Sequence, residues 1–369
     1  MLGSAGAIRA FPQLQSLASS HAESHSLLLV GARDRSDGGA IHTLSIQDRR
    51  CEPLASIPAA SPVALAVHPV RPIVYAANAV SRYRHEPRGT IEAFLVDQGT
   101  GHLQRLSRQP LSLSATLPGS LAVTPDGVSL LVAASGGGAY NLMPLDADGV
   151  PGPPSMILKQ VGRGPQLPQQ VRARPVSVLF RRRSLGIAAD LGADRLDLFT
   201  ADPEIPHRLA IVSRISLAPG SGPCALALHP DGDLLIAAQR LRPALTLLCF
   251  GGPAHLQIAR DIPLRTAPAA IAWHPRHDLL YVVLNEGSRL SRLQAWQPDF
   301  AGGTLRPVAE ITTPLPDIRA IHCEPTAVYL ACSDGVMDAA LDPATGIPLN
   351  VNRIASIPGA VSLAAVSQA

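Results

Sequence analysis

The sequence predicts an all-β ring, a seven-bladed β-propeller, and three observations carry the prediction. Glycine and proline are frequent and scattered, 30 Gly and 35 Pro in 369 residues, which leaves little room for long helices. An Asp-opened turn recurs at a spacing of 49: Asp48, Asp97 and Asp146 follow similar apolar strands, and Asp342 lies four further periods on. A second landmark, an apolar strand ending in His-Pro or Thr-Pro and followed by a more continuously apolar strand, repeats in the same register. Units of about 40 to 50 residues, each with three or four short strands, are the sequence pattern of propeller blades.

The elements follow in order. The opening unit, "SLLLVGARDRSDGGAIHTLSIQD", has a continuously apolar strand, a polar loop and an alternating strand that ends at Asp48. It lacks the Pro-led opening strand of the other units. "SPVALAVHPVRPIVYAAN" from Ser61, "LPGSLAVTPDGVSLLVAAS" from Leu117, "GPCALALHPDGDLLIAAQ" from Gly222 and "APAAIAWHPRHDLLYVVLN" from Ala267 each supply that strand, its turn and the strand after it. The chain ends in "IPGAVSLAAV", an opening strand with no unit behind it. The two incomplete ends complete each other, so the ring is expected to close through a blade shared between N- and C-terminal strands, which removes free sheet edges. Residues 25–369 are expected to form this propeller domain, and residues 1–24 a loose N-terminal segment.

Two local features read as structural. The glycines of "SGGG" (Ser135 to Gly138) follow a second strand, and no helix comes after them to hold a phosphate on its N-terminus, so they are expected to serve a turn. His68, His229 and His274 recur at one turn per unit, the regularity of a structural residue rather than of a ligand.

Composition narrows the function classes. Lys plus Arg (31) nearly balance Asp plus Glu (28), so no global field argues for nucleic acid or an anionic membrane, and neither is expected as a partner. The longest basic run, Arg181 to Arg183, reads as a solvated turn. Cys51, Cys224, Cys249, Cys323 and Cys332 are too irregularly spaced for a disulfide framework or a zinc site. No metal or cofactor is expected, and the cytoplasm is the expected compartment. The N-terminus lacks the apolar core of a secretory signal, and no stretch approaches the length of a membrane span.

Three segments carry a resemblance. "LLVGARDRSDGGAIHTLSIQ", "SGGGAYNLMPLDADGVPGP" and "ADLGADRLDLF" are similar to the opening blade, the "YGGGSV...PLDADGRLG" segment and the "DLGADRV" motif of the seven-bladed propeller lactonases, a family that includes 6-phosphogluconolactonase and carboxymuconate-cyclising enzymes. The resemblance implies a lactone as substrate and a His, two Arg and a Glu near the central channel, which hold an anionic group and move a proton.

Those residues do not carry over. The family's "HAHSV" corresponds to "RPVSV", with Arg174 and Val176 at the histidine positions, and its "GPRH" to "GPCA", with Cys224 and Ala225. Its "NE" becomes Gln239 and Arg240, and the Arg of "NRG" falls on Asn285 or Glu286. Ser120, Ala269, Ala270 and Ala79 mark further replacements, while Asp190 and Arg195 survive. The candidate site is therefore Glu286, Asp190 or Asp194 as general base, with Arg174, Arg195 and Arg240 holding an anionic sugar lactone or another metabolite in the channel. The expectation is a divergent or non-catalytic member of the family, the alternative an active lactone hydrolase with a rebuilt site. The arginine-rich loop Ser81 to Gly89 offers a rim surface to a protein partner.

Overall fold

The breaker-rich, alternating segments form strands, and no helix occurs among the described residues. The computed structural model describes residues 26–34, 37–47, 50–181, 185–201, 207–287, 290–299, 302–313 and 317–367. The segment 1–24, the Asp48 turn, and Arg182 and Arg183 lie outside the described residues.

Seven four-stranded antiparallel sheets make the ring. Residues 62–110, 118–159, 175–216, 223–263, 268–313 and 320–355 form blades 2 to 7, each from consecutive strands. Blade 1 takes its innermost strand, Ala360–Ser367, from the C-terminus and its other three, Ser26–Arg33, Gly39–Gln47 and Arg50–Pro58, from the N-terminus. The seam runs antiparallel from Ser26 opposite Ser367 to Ala32 opposite Ala360. Closure through a shared blade is thus as the two incomplete chain ends predict.

Position within a blade explains the sequence pattern. A second strand is covered on both faces by neighbouring blades and reads as an unbroken apolar run: every residue of Ile73–Asn78, Ser129–Ala134, Leu234–Gln239 and Ala327–Cys332 is buried. An outer strand such as Leu209–Ser216 has one covered face and alternates. Seven apolar clusters fill the seven blade-to-blade contacts.

The repeated landmarks tie each blade to the next. His68 accepts the amides of Val70 and Arg71 on Nδ1, capping its own turn, while Nε2 reaches the Gly127 carbonyl of blade 3 at 3.1 Å. His274 does the same with Arg276, His277 and the Pro325 carbonyl of blade 7, and His229 with Asp231 and the Asp278 carboxylate of blade 6. These contacts require the neutral Nε2–H tautomer of His68 and His274, and burial holds both imidazoles below their ordinary range. The repeated aspartates cap their turns too: Asp97 accepts the amides of Gly99 and Thr100, Asp146 those of Asp148 and Val150, and Asp342 those of Ala344 and Thr345. Two of these turns end at a positive-φ glycine whose carbonyl accepts a tyrosine hydroxyl from the preceding blade, Tyr75 to Gly149 (2.7 Å) and Tyr281 to Gly346 (2.5 Å).

Six inner strands share one irregularity at the rim where they begin. Val63, Gly119, Val176, Cys224, Ala269 and Val361 are extra residues, just after the strand start, that drop out of the pairing with the second strand. Such bulges bend a strand and re-aim its side chains.

Candidate functional site

Inner strands begin and second strands end on the same rim of the ring, so every sequence candidate falls on one face, in blades 4 to 6. Arg174 precedes the inner strand Pro175–Arg181, Asp190 ends the strand Leu185–Asp190, and Asp194 and Arg195 complete the turn into Arg195–Ala201. Arg240 follows Leu234–Gln239, and Glu286 ends Leu280–Glu286. The fold brings their backbones to one rim; their side chains have different tasks.

Asp190 is fully buried and its Oδ1 accepts three backbone amides, those of Arg174 (2.6 Å), Gly192 (3.0 Å) and Ala193 (3.1 Å). Burial pushes its carboxyl above the ordinary range, against the Arg174 amide and the Arg195 guanidinium, which favour the anion. Asp194 accepts four hydrogen bonds, from the Gln170 side chain and the Gly222 amide at 2.7 Å, the Ser221 hydroxyl at 3.1 Å and, on Oδ2, the Gly220 amide at 2.7 Å. It therefore stitches blade 4 to the connection that enters blade 5. Arg195 donates to the Val161 carbonyl and the Gln160 side chain and faces Asp190 (3.5 Å) and Asp197 (3.2 Å). Glu286 is paired with Arg292 at 2.8 Å, and Arg292 also meets Glu310.

Two arginines differ. Arg174 and Arg240 are exposed on the rim. Arg174 has no side-chain partner among the described residues, and the Arg240 guanidinium lies beside the Cys224 thiol. Burial pushes that thiol up in spite of Arg240, and Cys224 donates to the Ala238 carbonyl (3.4 Å).

The structure adds features that the sequence pattern did not single out. A cavity of about 710 Å³ opens on the same face at the seam, across blades 7, 1 and 2, lined by Arg33, Asp34, Ser61, Ala79, Arg319 and Ser333 among others. Its volume is that of a small-molecule site. Arg33 lies where "GARDRSDGG" leaves the first strand, and Arg319 precedes an inner strand, Ala320–Cys323, that lacks the Pro-led opening of its counterparts. The repeat landmark therefore pointed elsewhere. His322 is the one imidazole on an inner strand among the described residues, and burial lowers it to about 4, which keeps it neutral at physiological pH. No group of three or more His, Cys, Asp or Glu among the described residues is placed to hold a metal ion.

A closed ring of seven four-stranded blades defines the class, a seven-bladed β-propeller. The chain belongs to the lactonase, 7-bladed beta-propeller family, whose sequence profile matches residues 27–331. Similar solved structures include a protein of Bacteroides fragilis provisionally named 6-phosphogluconolactonase, 22% identical, covering 94% of this chain and 99% of that one with a TM-score of 0.83. A protein of the same provisional name from Bacteroides uniformis is 20% identical, with 93% and 100% coverage and a TM-score of 0.84. The periplasmic gluconolactonase of Pseudomonas aeruginosa is 22% identical, with 93% and 99% coverage and a TM-score of 0.83. At these identities the likeness is one of fold. No curated protein matches the chain.

Proposed function

We propose that this protein is a lactonase-family propeller that binds a small anionic metabolite, a sugar lactone or its acid, at the channel mouth and does not catalyse by the family's His, Arg and Glu. One observation carries the reading. Asp190, Asp194 and Glu286 are each engaged by amides, hydroxyls or a guanidinium, whereas Arg174 and Arg240 point charge at the rim with almost no protein partner. Cations without a free base bind and orient an anion but do not move its proton. The gluconolactonase and 6-phosphogluconolactonase names of structural neighbours support the ligand class. The competing reading, a hydrolase with a rebuilt site, rests on Glu286, whose carboxylate keeps 27% exposure and needs release from Arg292 to act as a base.

Calorimetric titration with 6-phosphogluconate tests the binding. The wild-type protein is expected to bind, and Arg240→Ala and Arg174→Ala are each expected to weaken binding at least about tenfold, the loss of one charge-assisted hydrogen bond. No wild-type binding, or affinity untouched by both variants, would sink the proposal. The cytoplasm remains the compartment we propose, supported by five cysteines that form no disulfide.

A further inference from the structure

We propose that the loop face of blades 2 to 4 docks on an anionic membrane surface. Three segments of that face meet through backbone contacts: residues 79–89, residues 111–117 and residues 160–174. Ser114 N–H donates to the Pro87 carbonyl, Leu117 N–H to the Val80 carbonyl, and Gly136 N–H and Gln160 N–H join the second and third segments to the Ser135 to Gly138 turn between them. Together they make one continuous surface.

Its chemistry is aliphatic and cationic. Leu113, Leu117, Val161, Leu167 and Val171 are exposed by 60, 42, 78, 70 and 58%. Arg82, Arg84, Arg163, Arg172 and Arg174 stand exposed among them. The one acid in the three segments, Glu86, is paired with Arg88 at 2.9 Å. In the segment 79–89, Tyr83 and Glu86 bridge a two-residue turn whose Arg84 and His85 both have positive φ (48° and 67°), so both side chains are carried at a projecting tip. Tyr83 is held between the Arg84 and Arg108 guanidinium groups, with carbons 5.2 and 4.8 Å from its ring centre.

The opposite face has the opposite charge. Its turns carry Asp97, Asp126, Asp146, Asp148, Asp231, Asp233, Asp278, Asp299, Glu324 and Asp342, against Arg50, Arg71, Arg181, Arg208 and Arg276 among the described residues. The small net charge that argues against an anionic surface is thus the sum of two unlike faces. A disc charged in this way is oriented by a negatively charged plane with its arginines toward it. Leucines and valines at separate loop tips suit partial insertion between lipid headgroups. They suit a protein partner less well, since Leu and Val are under-represented among the residues that dominate such interfaces.

Co-sedimentation with vesicles tests this, using equal parts phosphatidylcholine and phosphatidylglycerol against phosphatidylcholine alone. The full chain is expected to bind the mixed vesicles only, and less as salt rises. Arg163→Ala and Arg172→Ala are each expected to weaken partition about fivefold, and Leu167→Asp about tenfold. All three positions are exposed, so melting should be unchanged. Absence of binding to mixed vesicles overturns the proposal, as does binding that ignores Arg172→Ala and Leu167→Asp. Self-association on a sizing column that Arg172→Ala abolishes would instead assign the face to the acidic side of a second copy. These outcomes are independent of 6-phosphogluconate binding, because none of the three residues belongs to the site assigned to that ligand.

Discussion

Replacing Asp194 by alanine is expected to destabilise the protein by about 3 kcal/mol or more, measured by urea unfolding. Its carboxylate accepts four hydrogen bonds, and three of the donors belong to one connection, Gly220 to Gly222, that leads into the inner strand of blade 5. Hydrogen bonds to a charged group contribute about 1.5–3 kcal/mol each, and alanine leaves all four donors without their acceptor in a buried turn. Asp194 also sits at φ 49°, a conformation that Asn and Asp tolerate better than alanine. Asp194→Asn keeps that tolerance and one acceptor oxygen, so it separates the two effects and should lose about half as much. A catalytic base shows the reverse pattern, since its removal abolishes turnover and leaves folding nearly intact. A stable Asp194→Ala protein would therefore remove the structural assignment.

Gly137→Ala is expected to cost about 3 kcal/mol for a different reason. A Cβ at Gly137 would run into the backbone carbonyl of Ser114, one at Gly136 would meet Thr116, and one at Gly138 would lie 2.9 Å from the Ala173 carbonyl. The three glycines thus let the connections from blade 2 to blade 3 and from blade 3 to blade 4 cross tightly over a single turn. Only Gly138 needs its positive φ, 64°, so the cost at Gly137 is steric and cannot be relieved by rotating a side chain. Thermal melting checks it; an unchanged midpoint would show that the connection from blade 2 to blade 3 does not lie as close to Gly137 as described.

This outcome shows how far the sequence could be read. That the glycines form a turn was legible, because no helix follows them; that they form a crossing was not, because the crossing chains are distant in sequence. Periodicity told most about the fold. Asp97, Asp146 and Asp342 recur because each blade needs the same capped turn, and the unbroken apolar second strands recur because each is covered on both faces. The site was legible only as positions. Motif alignment brought Arg174, Asp190, Asp194, Arg195, Arg240 and Glu286 to one rim, but the partners that occupy the three acids and Arg195 are side chains or amides from other strands and loops, such as Arg292 for Glu286 and Gln170 for Asp194. The seam cavity escaped because Arg33 and Arg319 come from the two units, first and seventh, that lack the Pro-led landmark strand. Charge segregation between faces escaped because a net charge of +3 sums over both.

The most direct measurement is hydrolysis of 6-phosphogluconolactone by the pure protein, with spontaneous ring opening subtracted and Glu286→Gln and Arg240→Ala variants alongside. General acid–base and electrostatic roles each contribute about 10² to 10⁴ in rate. On the proposed reading, in which the family's His, Arg and Glu have no counterparts and the remaining carboxylates are engaged, no rate above spontaneous opening is expected from any of the three proteins. A wild-type rate above background that collapses in Glu286→Gln would contradict this reading and establish Glu286, freed from Arg292, as the base of a rebuilt lactonase site.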